Sequence, residues 1–268
     1  MTILGLIFPP DRPPEELRLV AVEADRAGLE QLWLWEDCFK ESGIAAAASV
    51  LAWTDQLTVG IGLLPVPLRN VALTAMEVAT IERLFPGRLV PGIGHGVLEW
   101  MGQAGVRAAS PMTLLGEYAA ALRGLLHGER LTTSGRYVQL TDVALAWPPK
   151  PPPRLLIGAV RERTVRLAGE LADGVILTGE TTPERLRDVV VQLQAARVAA
   201  GRSADLPPDV VAFMPVDGRL EAAQVAGRVT EYADAGATHV VLLAVGDDGP
   251  ELSDYATFVA REVRPLVS

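Results

Sequence analysis

Short apolar runs alternate with amphipathic stretches about eight times along this chain. The runs fall at residues 2–8, 32–35, 57–64, 89–93, 155–157, 175–177, 210–214 and 239–243, and each reads as a strand. They are continuous apolar runs, not polar–apolar alternations, which is the pattern of parallel strands covered on both faces. The stretches between them carry helix punctuation. Pro13 and Pro14 open a helix where a missing N–H costs nothing. Its apolar face is Leu17, Val20, Ala21, Ala24 and Ala27, and Gly28 ends it. Residues 44–53 form an Ala-rich helix, and Asn70 caps one that stops at Pro86-Gly87. Ser110-Pro111 starts a helix that runs to His127-Gly128, and Thr182-Pro183 starts one closed by Gly201. A further helix ends at Gly236, and the last stops before Pro265.

Strands alternating with helices give either a doubly wound α/β sheet or a barrel. A doubly wound nucleotide fold places a glycine fingerprint straight after its first strand. Here that position reads Phe8, Pro9, Pro10, Asp11, which cannot cradle a pyrophosphate. The expected fold is therefore one (β/α)8 TIM barrel over residues 1–268, close to the ~250 residues usual for such a barrel. Two segments interrupt the period. Residues 97–109 are long for a strand–helix loop and read as a lid. Residues 129–153 carry a hairpin (131–133 and 137–140, turning at Ser134-Gly135) and a stiff proline run, 148–153.

Composition narrows the partners. Apolar residues make up 49 % of the chain, enough for a large core, and no long window is free of charge, so no membrane span is expected. The net charge of −9, with no basic stripe, argues against nucleic acid. The 22 arginines against two lysines reflect genome composition more simply than a binding surface. Cys38 is the only cysteine and no secretory leader is visible, which together suggest a cytoplasmic protein.

Barrel chemistry sits at the C-terminal strand ends. After the second strand come Trp35, Glu36, Asp37, Cys38 and Phe39. Two adjacent carboxylates and a thiol there can donate or accept a proton. The alternative is that Asp37 caps a turn and Cys38 is a small buried filler. The third strand ends at Gly60, Ile61, Gly62 and Leu63, where glycine suggests a close approach by another body. Arg69 follows, to meet a phosphate, a carboxylate or a surface partner. The fourth strand ends at Gly92, Ile93, Gly94, His95 and Gly96, and a histidine flanked by glycines reads as facing the mouth. His127 sits at a helix C-terminus, and His239 starts a strand at the opposite end. Gly158, Ala159, Val160 and Arg161 follow the fifth strand, and Thr178 and Gly179 follow the sixth. Small residues and helix N-termini there suit an anion, with Arg161 or Arg163 adding charge. Simple N-capping by Thr181 or Thr182 would look the same. The last two exits, at Asp217 and at Asp247-Asp248, are acidic and unsuited to phosphate. No metal-ligand spacing and no nucleophile elbow appear.

Four blocks taken together resemble a known family. They are Glu36 to Phe39; Leu64 to Asn70; the Pro-Gly-Arg and Gly-x-Gly-x-Gly blocks at 86–96; and Ala168, Gly169, Glu170, Ala172, Asp173, Gly174 within 167–178. In order and spacing the chain is similar to the luciferase-like monooxygenase superfamily, most of all its branch using the deazaflavin coenzyme F420. The resemblance implies a bacterial luciferase-like barrel, usually a homodimer, with a flavin-like ring in the mouth. It implies a non-proline cis peptide at Gly62-Leu63 behind that ring, and a phosphate tail near Gly158, Ala159, Thr178 and Gly179. Deazaflavin sugar-phosphate dehydrogenases of the family carry His and Glu where this chain has Cys38 and Val97. Their proton-handling pair is absent, so His95, Glu36 or Asp37 would substitute, or the substrate needs no such acid. Three functions follow from the resemblance. The first is F420-dependent hydride transfer to or from a small organic molecule. The second is an FMN-dependent monooxygenase fed by a flavin reductase. The third is a non-catalytic barrel that carries a flavin.

Overall fold

The computed structural model describes residues 2–202, 206–246 and 249–267. Eight parallel strands close into a barrel. In chain order they are β1 (Ile3–Phe8), β2 (Gln31–Leu34), β3 (Thr58–Pro65), β4 (Leu89–Gly94), β7 (Leu156–Gly158), β8 (Gly174–Leu177), β9 (Asp209–Asp217) and β10 (His239–Val245). The hairpin β5 (Leu131–Ser134) and β6 (Gln139–Val143) stands apart as its own two-stranded sheet. The helices are α1 (Leu17–Ala27), α2 (Gly43–Trp53), α3 (Val71–Leu84), α4 (Leu98–Gln103), α5 (Pro111–Leu126), α6 (Glu162–Leu171), α7 (Pro183–Ala199), α8 (Ala222–Asp234) and α9 (Leu252–Phe258). Of the described residues, none belongs to a helix long and apolar enough to cross a membrane.

Every expected strand is present, with shifted ends. β9 and β10 run several residues further than their apolar cores because they pair with each other as far as Ala244–Val216 and Val245–Asp217. The hairpin strands extend to Ser134 and Val143, past the apolar positions that marked them. The segment 97–109 is not an open loop. It contains α4, whose Met101 is buried, and its far end is tied down where the Ser110 N–H donates to Tyr137 Oη at 2.7 Å.

Size complementarity fills the barrel. Ile7, Trp33, Leu156, Ile176, Val211, Phe213 and Val241 form a core of their own, distinct from the larger layer between strands and helices. Trp33 is fully buried, and glycines on its flanking strands make room for it. A Cβ on Gly60 would lie 2.2 Å from Trp33 Cδ2, and one on Gly5 would lie 3.1 Å from Cδ1. The Trp33 indole N–H donates to Gln31 Oε1 at 2.9 Å, which answers its buried donor. Gly92 clears Ile176 in the same way, at 2.4 Å. Any side chain at these glycines would overpack a dense interior.

The N-terminal end of the barrel is closed by charge. Asp173, in the block 167–178, accepts from Arg123 Nη1 at 2.9 Å, Arg202 Nη2 at 2.6 Å and the Leu155 N–H at 3.0 Å. Burial would raise this carboxyl, but the two guanidiniums and the Leu155 N–H outweigh it and hold it below the usual range. In the same block, a Cβ on Gly169 would lie 2.6 Å from Ala196 Cβ, and one on Gly174 would lie 2.2 Å from the Asp209 carbonyl. The residues that carry the resemblance here therefore do packing work: α6 against α7, β8 against β9, and the hub Asp173.

Asp173→Asn should lower stability by about 1.5–3 kcal/mol, because it replaces charge-assisted hydrogen bonds to two half-buried guanidiniums with neutral ones. Because the folded carboxyl lies below its unfolded value, its contribution is present above the ordinary Asp range and is lost as pH falls through the folded pKa. Urea unfolding at pH 7 and below pH 4 measures this. The variant should lose most at pH 7 and converge on wild type in acid; an equal deficit at both would contradict the hub.

Candidate active site

The floor of the C-terminal mouth is aromatic and aliphatic. Trp35, just past β2, shares the inward side of its strand with Trp33 and stacks on Phe213 at 5.7 Å between centroids. Phe213 meets Trp33 edge-on at 5.6 Å. The register of β3 against β4 slips between Ile61 and Leu64, and the Gly62-Leu63 peptide is cis, at the position the resemblance implies. Leu63 then lies across two neighbouring strand ends. A Cβ on Gly94 or on Gly158 would sit 2.5 or 2.3 Å from Leu63 Cδ2, and one on Gly62 would sit 2.6 Å from Phe213 Cζ. The glycines at these exits thus make room first for protein side chains, which form the deck of the mouth.

His95 stands at the rim between Gly94 and Gly96. Gly96 has φ +68°, and a Cβ there would lie 2.9 Å from Pro65 Cβ and 3.1 Å from Met101 Sδ, so α4 packs tightly beneath the turn. The imidazole is half-buried, and its Nδ1 has no partner among the described residues. Burial pushes its pKa down, with the Pro111 backbone opposing, so the neutral ring is favoured. Trp35 Nε1 is likewise buried without a partner among the described residues.

The segment after β2 splits into two kinds of residue. Glu36 is buried, and both of its oxygens are engaged: Oε1 and Oε2 by the Arg69 guanidinium, and Oε2 also by the Gly43 N–H at 2.8 Å. Arg69 has therefore found a carboxylate, in a half-buried pair and not on the surface. Asp37 and Cys38 are half-buried, and Phe39 is 68 % exposed. Burial raises the Asp37 carboxyl, with Lys40 opposing. Burial and then the charges of Glu36 and Asp37 raise the Cys38 thiol. The Cys38-Phe39 peptide is also cis.

The exits of β7 and β8 differ from each other. Thr182 caps α7 by accepting from the Arg185 N–H at 3.3 Å, so that helix start is already served. No side chain caps α6, which begins directly after Val160 and Arg161, both exposed. Ala159 is buried, and its N–H is spent on the Ile176 carbonyl at 3.0 Å. Gly179 backs onto Pro215, and Thr178 is exposed. Asp217 is bound by Arg219, which holds its carboxyl down at about 2; Asp247 and Asp248 lie outside the described residues. His127 Nδ1 meets the Arg123 carbonyl at a helix end, and His239 Nδ1 meets Thr238 Oγ1 at the far end of the barrel. Neither belongs to the mouth. Phe213 was not legible as a site residue, because an apolar residue in a buried run gives no sign of the layer it occupies.

A match to the family described as luciferase-like monooxygenase spans residues 5–226. The chain belongs to the luciferase-like monooxygenase family. Among relatives of this luciferase-like chain, a 5,10-methylenetetrahydromethanopterin reductase from Methanolobus tindarius is 27 % identical over 261 residues, covering 96 % of this chain and 79 % of that protein. An F420-dependent glucose-6-phosphate dehydrogenase from Nakamurella multipartita is 29 % identical over 208 residues, covering 72 % and 60 %. The fold of an F420-dependent secondary alcohol dehydrogenase, solved with an F420-acetone adduct, superposes with a TM-score of 0.87 at 16 % identity, covering 100 % of this chain and 99 % of that one.

The mouth of this luciferase-like barrel suits a flat ring with an anionic tail. The deck of Leu63, Phe213 and Trp35 is apolar, His95 Nδ1 and Trp35 Nε1 lack protein partners among the described residues, and an uncapped helix start lies beside exposed Arg161 and Arg163. His95 should titrate below the usual histidine value of ~6.5 in the free protein, because charging a half-buried ring is disfavoured. An NMR titration of the three histidines reads this; a His95 midpoint at or above that value would contradict the placement.

Proposed function

We propose that this luciferase-like enzyme, acting as one barrel domain over residues 1–268, is a coenzyme F420-dependent oxidoreductase for a small organic substrate. What carries the reading is the presence in one mouth of an apolar deck and an uncapped, arginine-flanked helix start. The F420 dependence of two of the three relatives, as they are named, supports it. When bound, the deazaflavin supplies a two-electron hydride carrier at its ring carbon C5. The deck of Leu63, Phe213 and Trp35, with Gly62, Gly94 and Gly158 making room for it, would back the ring and exclude water from one face. The neutral His95 would hold a polar edge of ring or substrate, with Gly96 fixing its turn. Ala159, Val160, Arg161, Thr178 and Gly179 would line the tail, with the free N–H groups of α6 and the Arg161 charge meeting its phosphate. Asp37, its carboxyl raised by burial, would hold or take up the proton at its Oδ atoms, next to the Cys38 thiol. Glu36, grouped with them on sequence, has both oxygens engaged, so its part is support and not proton transfer.

Titrating the protein with F420 should quench the coenzyme's fluorescence saturably, and Arg161→Gln with Arg163→Gln should weaken binding about tenfold at low salt. Tight binding of FMN without binding of F420 would overturn the proposal. That outcome would favour the second reading, an FMN-dependent monooxygenase supplied by a flavin reductase, which the family's own description supports. Binding without turnover of any substrate would favour a carrier barrel, consistent with Cys38 and Val97 standing where some relatives place His and Glu.

We also propose that the protein works in the cytoplasm, where its single cysteine stays reduced, and that it forms a homodimer. An open groove of about 630 Å³ on the outer wall, lined by Met76, Ala79, Leu84, Leu145 and Trp147 among others, exposes 67 % of Leu84 and 71 % of Trp147. Apolar exposure of this kind favours a covering partner, and a second copy is the one proposed. Sedimentation should give a dimer, and Met76→Glu with Leu84→Glu should give a folded monomer; a monomeric wild type would refute this.

A further inference from the structure

The strongest polar arrangement near the mouth is not in it. Arg69 follows β3 through the short turn Val66–Leu68, and its guanidinium lies across both oxygens of Glu36. The two side chains are only 16 % and 9 % exposed. From α3, Glu77 faces the same guanidinium, with Oε2 at 3.4 Å from Nε. Tyr118 Oη donates to Thr74 Oγ1 at 2.7 Å on the neighbouring helices. Glu36 Oε2 also accepts the N–H of Gly43, the first residue of α2.

One carboxylate therefore ties the end of β2 to the start of α2, and Arg69 ties that carboxylate to the end of β3. Residues 37–42 form a loop closed at its base by Glu36. Within it, the Lys40 N–H donates to the Asp37 carbonyl at 2.9 Å. Among the described residues, the Asp37 carboxylate and the Cys38 thiol have no hydrogen-bond partner that would hold them in place. The backbone that carries them is tied across its two ends by the Glu36 carboxylate and the Gly43 N–H. A planar two-pronged guanidinium suits this task, because it fixes the orientation of a carboxylate as well as its charge.

We propose that Arg69 is a positioning residue that acts through Glu36 to hold the Asp37–Cys38 segment at the mouth, with the Glu77 carboxylate beside it from α3. The functional part of this rests on the reading above that the segment faces the substrate. The clamp itself does not, and it can be read in the free protein. Cys38 is the only cysteine, so alkylation by iodoacetamide reports this loop alone. Measured across pH, the plateau rate reports access to the thiol, separately from its titration midpoint.

Wild type should react slowly at the plateau. Arg69→Gln should raise that plateau about tenfold, because a loop freed at its base opens more often. Arg69→Lys, which keeps the charge but not the fork, should fall between them. Glu36→Gln should also speed the reaction, and Glu36→Gln with Arg69→Gln should react no faster than the faster single variant, since the two act in series. Circular dichroism checks that each variant is folded, and Arg69→Lys keeps the test open if Arg69→Gln does not fold. A plateau unchanged in Arg69→Lys and in Arg69→Gln, or strictly additive effects in the double variant, would overturn the clamp. F420 titration of wild type is read independently, so loss of the cofactor reading and loss of the clamp are distinguishable.

Discussion

The barrel interior depends on one packing constraint: two large aromatic rings, Trp33 and Phe213, occupy space left by missing side chains on the strands beside and opposite them. Gly60 and Gly5 admit Trp33, and Gly62 admits Phe213. A barrel of eight strands has room only for its own side chains, so bulk on β2 and β9 requires its absence on β1 and β3. The same column sets the level of the mouth, because Trp35 stacks on the outer face of Phe213 and the Leu63 side chain crosses Gly94 and Gly158. The site is therefore the top layer of the core, and its flatness follows from how the layers below are filled.

The two ends of the barrel are stabilised by different means. At the N-terminal end, Asp173 gathers Arg123, Arg202 and the Leu155 N–H into a half-buried network that joins four parts of the chain. Among the described residues, charge at the mouth stands around the deck: the Glu36–Arg69–Glu77 group behind β2 and β3, Asp37 after β2, the Asp217–Arg219 pair after β9, and the exposed Arg161 and Arg163 beside α6. Between these lies an apolar surface with two partnerless ring nitrogens, on Trp35 and His95, counting the described residues. An electrically quiet deck with arginines at one edge suits a flat ring carrying a charged tail. It leaves hydride chemistry to the carrier, and orientation to the protein.

Much of the architecture was legible because it rests on local rules. The eight apolar runs, the proline and threonine starts at Pro111 and Thr182, and the glycine stops at Gly28 and Gly201 all mark elements that exist where expected. Strand lengths were less legible, because β9 and β10 extend by pairing with each other and not by hydrophobicity. At the site, His95 and the Gly62-Leu63 peptide could be located from their glycine surroundings and from the family resemblance. The role of Glu36 could not be, since its two engagements come from Arg69 and Gly43, residues brought to it only by closure of the barrel. Phe213 was hidden for a similar reason: nothing in an apolar run says which of its residues will face Trp35. In the block at 167–178, Gly169, Asp173 and Gly174 support the fold from the opposite end, and only Thr178 reaches the mouth.

A deazaflavin held in the mouth carries its own spectroscopic signature. The most direct measurement is the absorption spectrum of the protein purified from a host that makes both F420 and FMN. The chromophore released on denaturation should be the deazaflavin, in up to one equivalent per chain. Release of FMN instead, or of neither cofactor from protein that also fails to take up added F420, would contradict it.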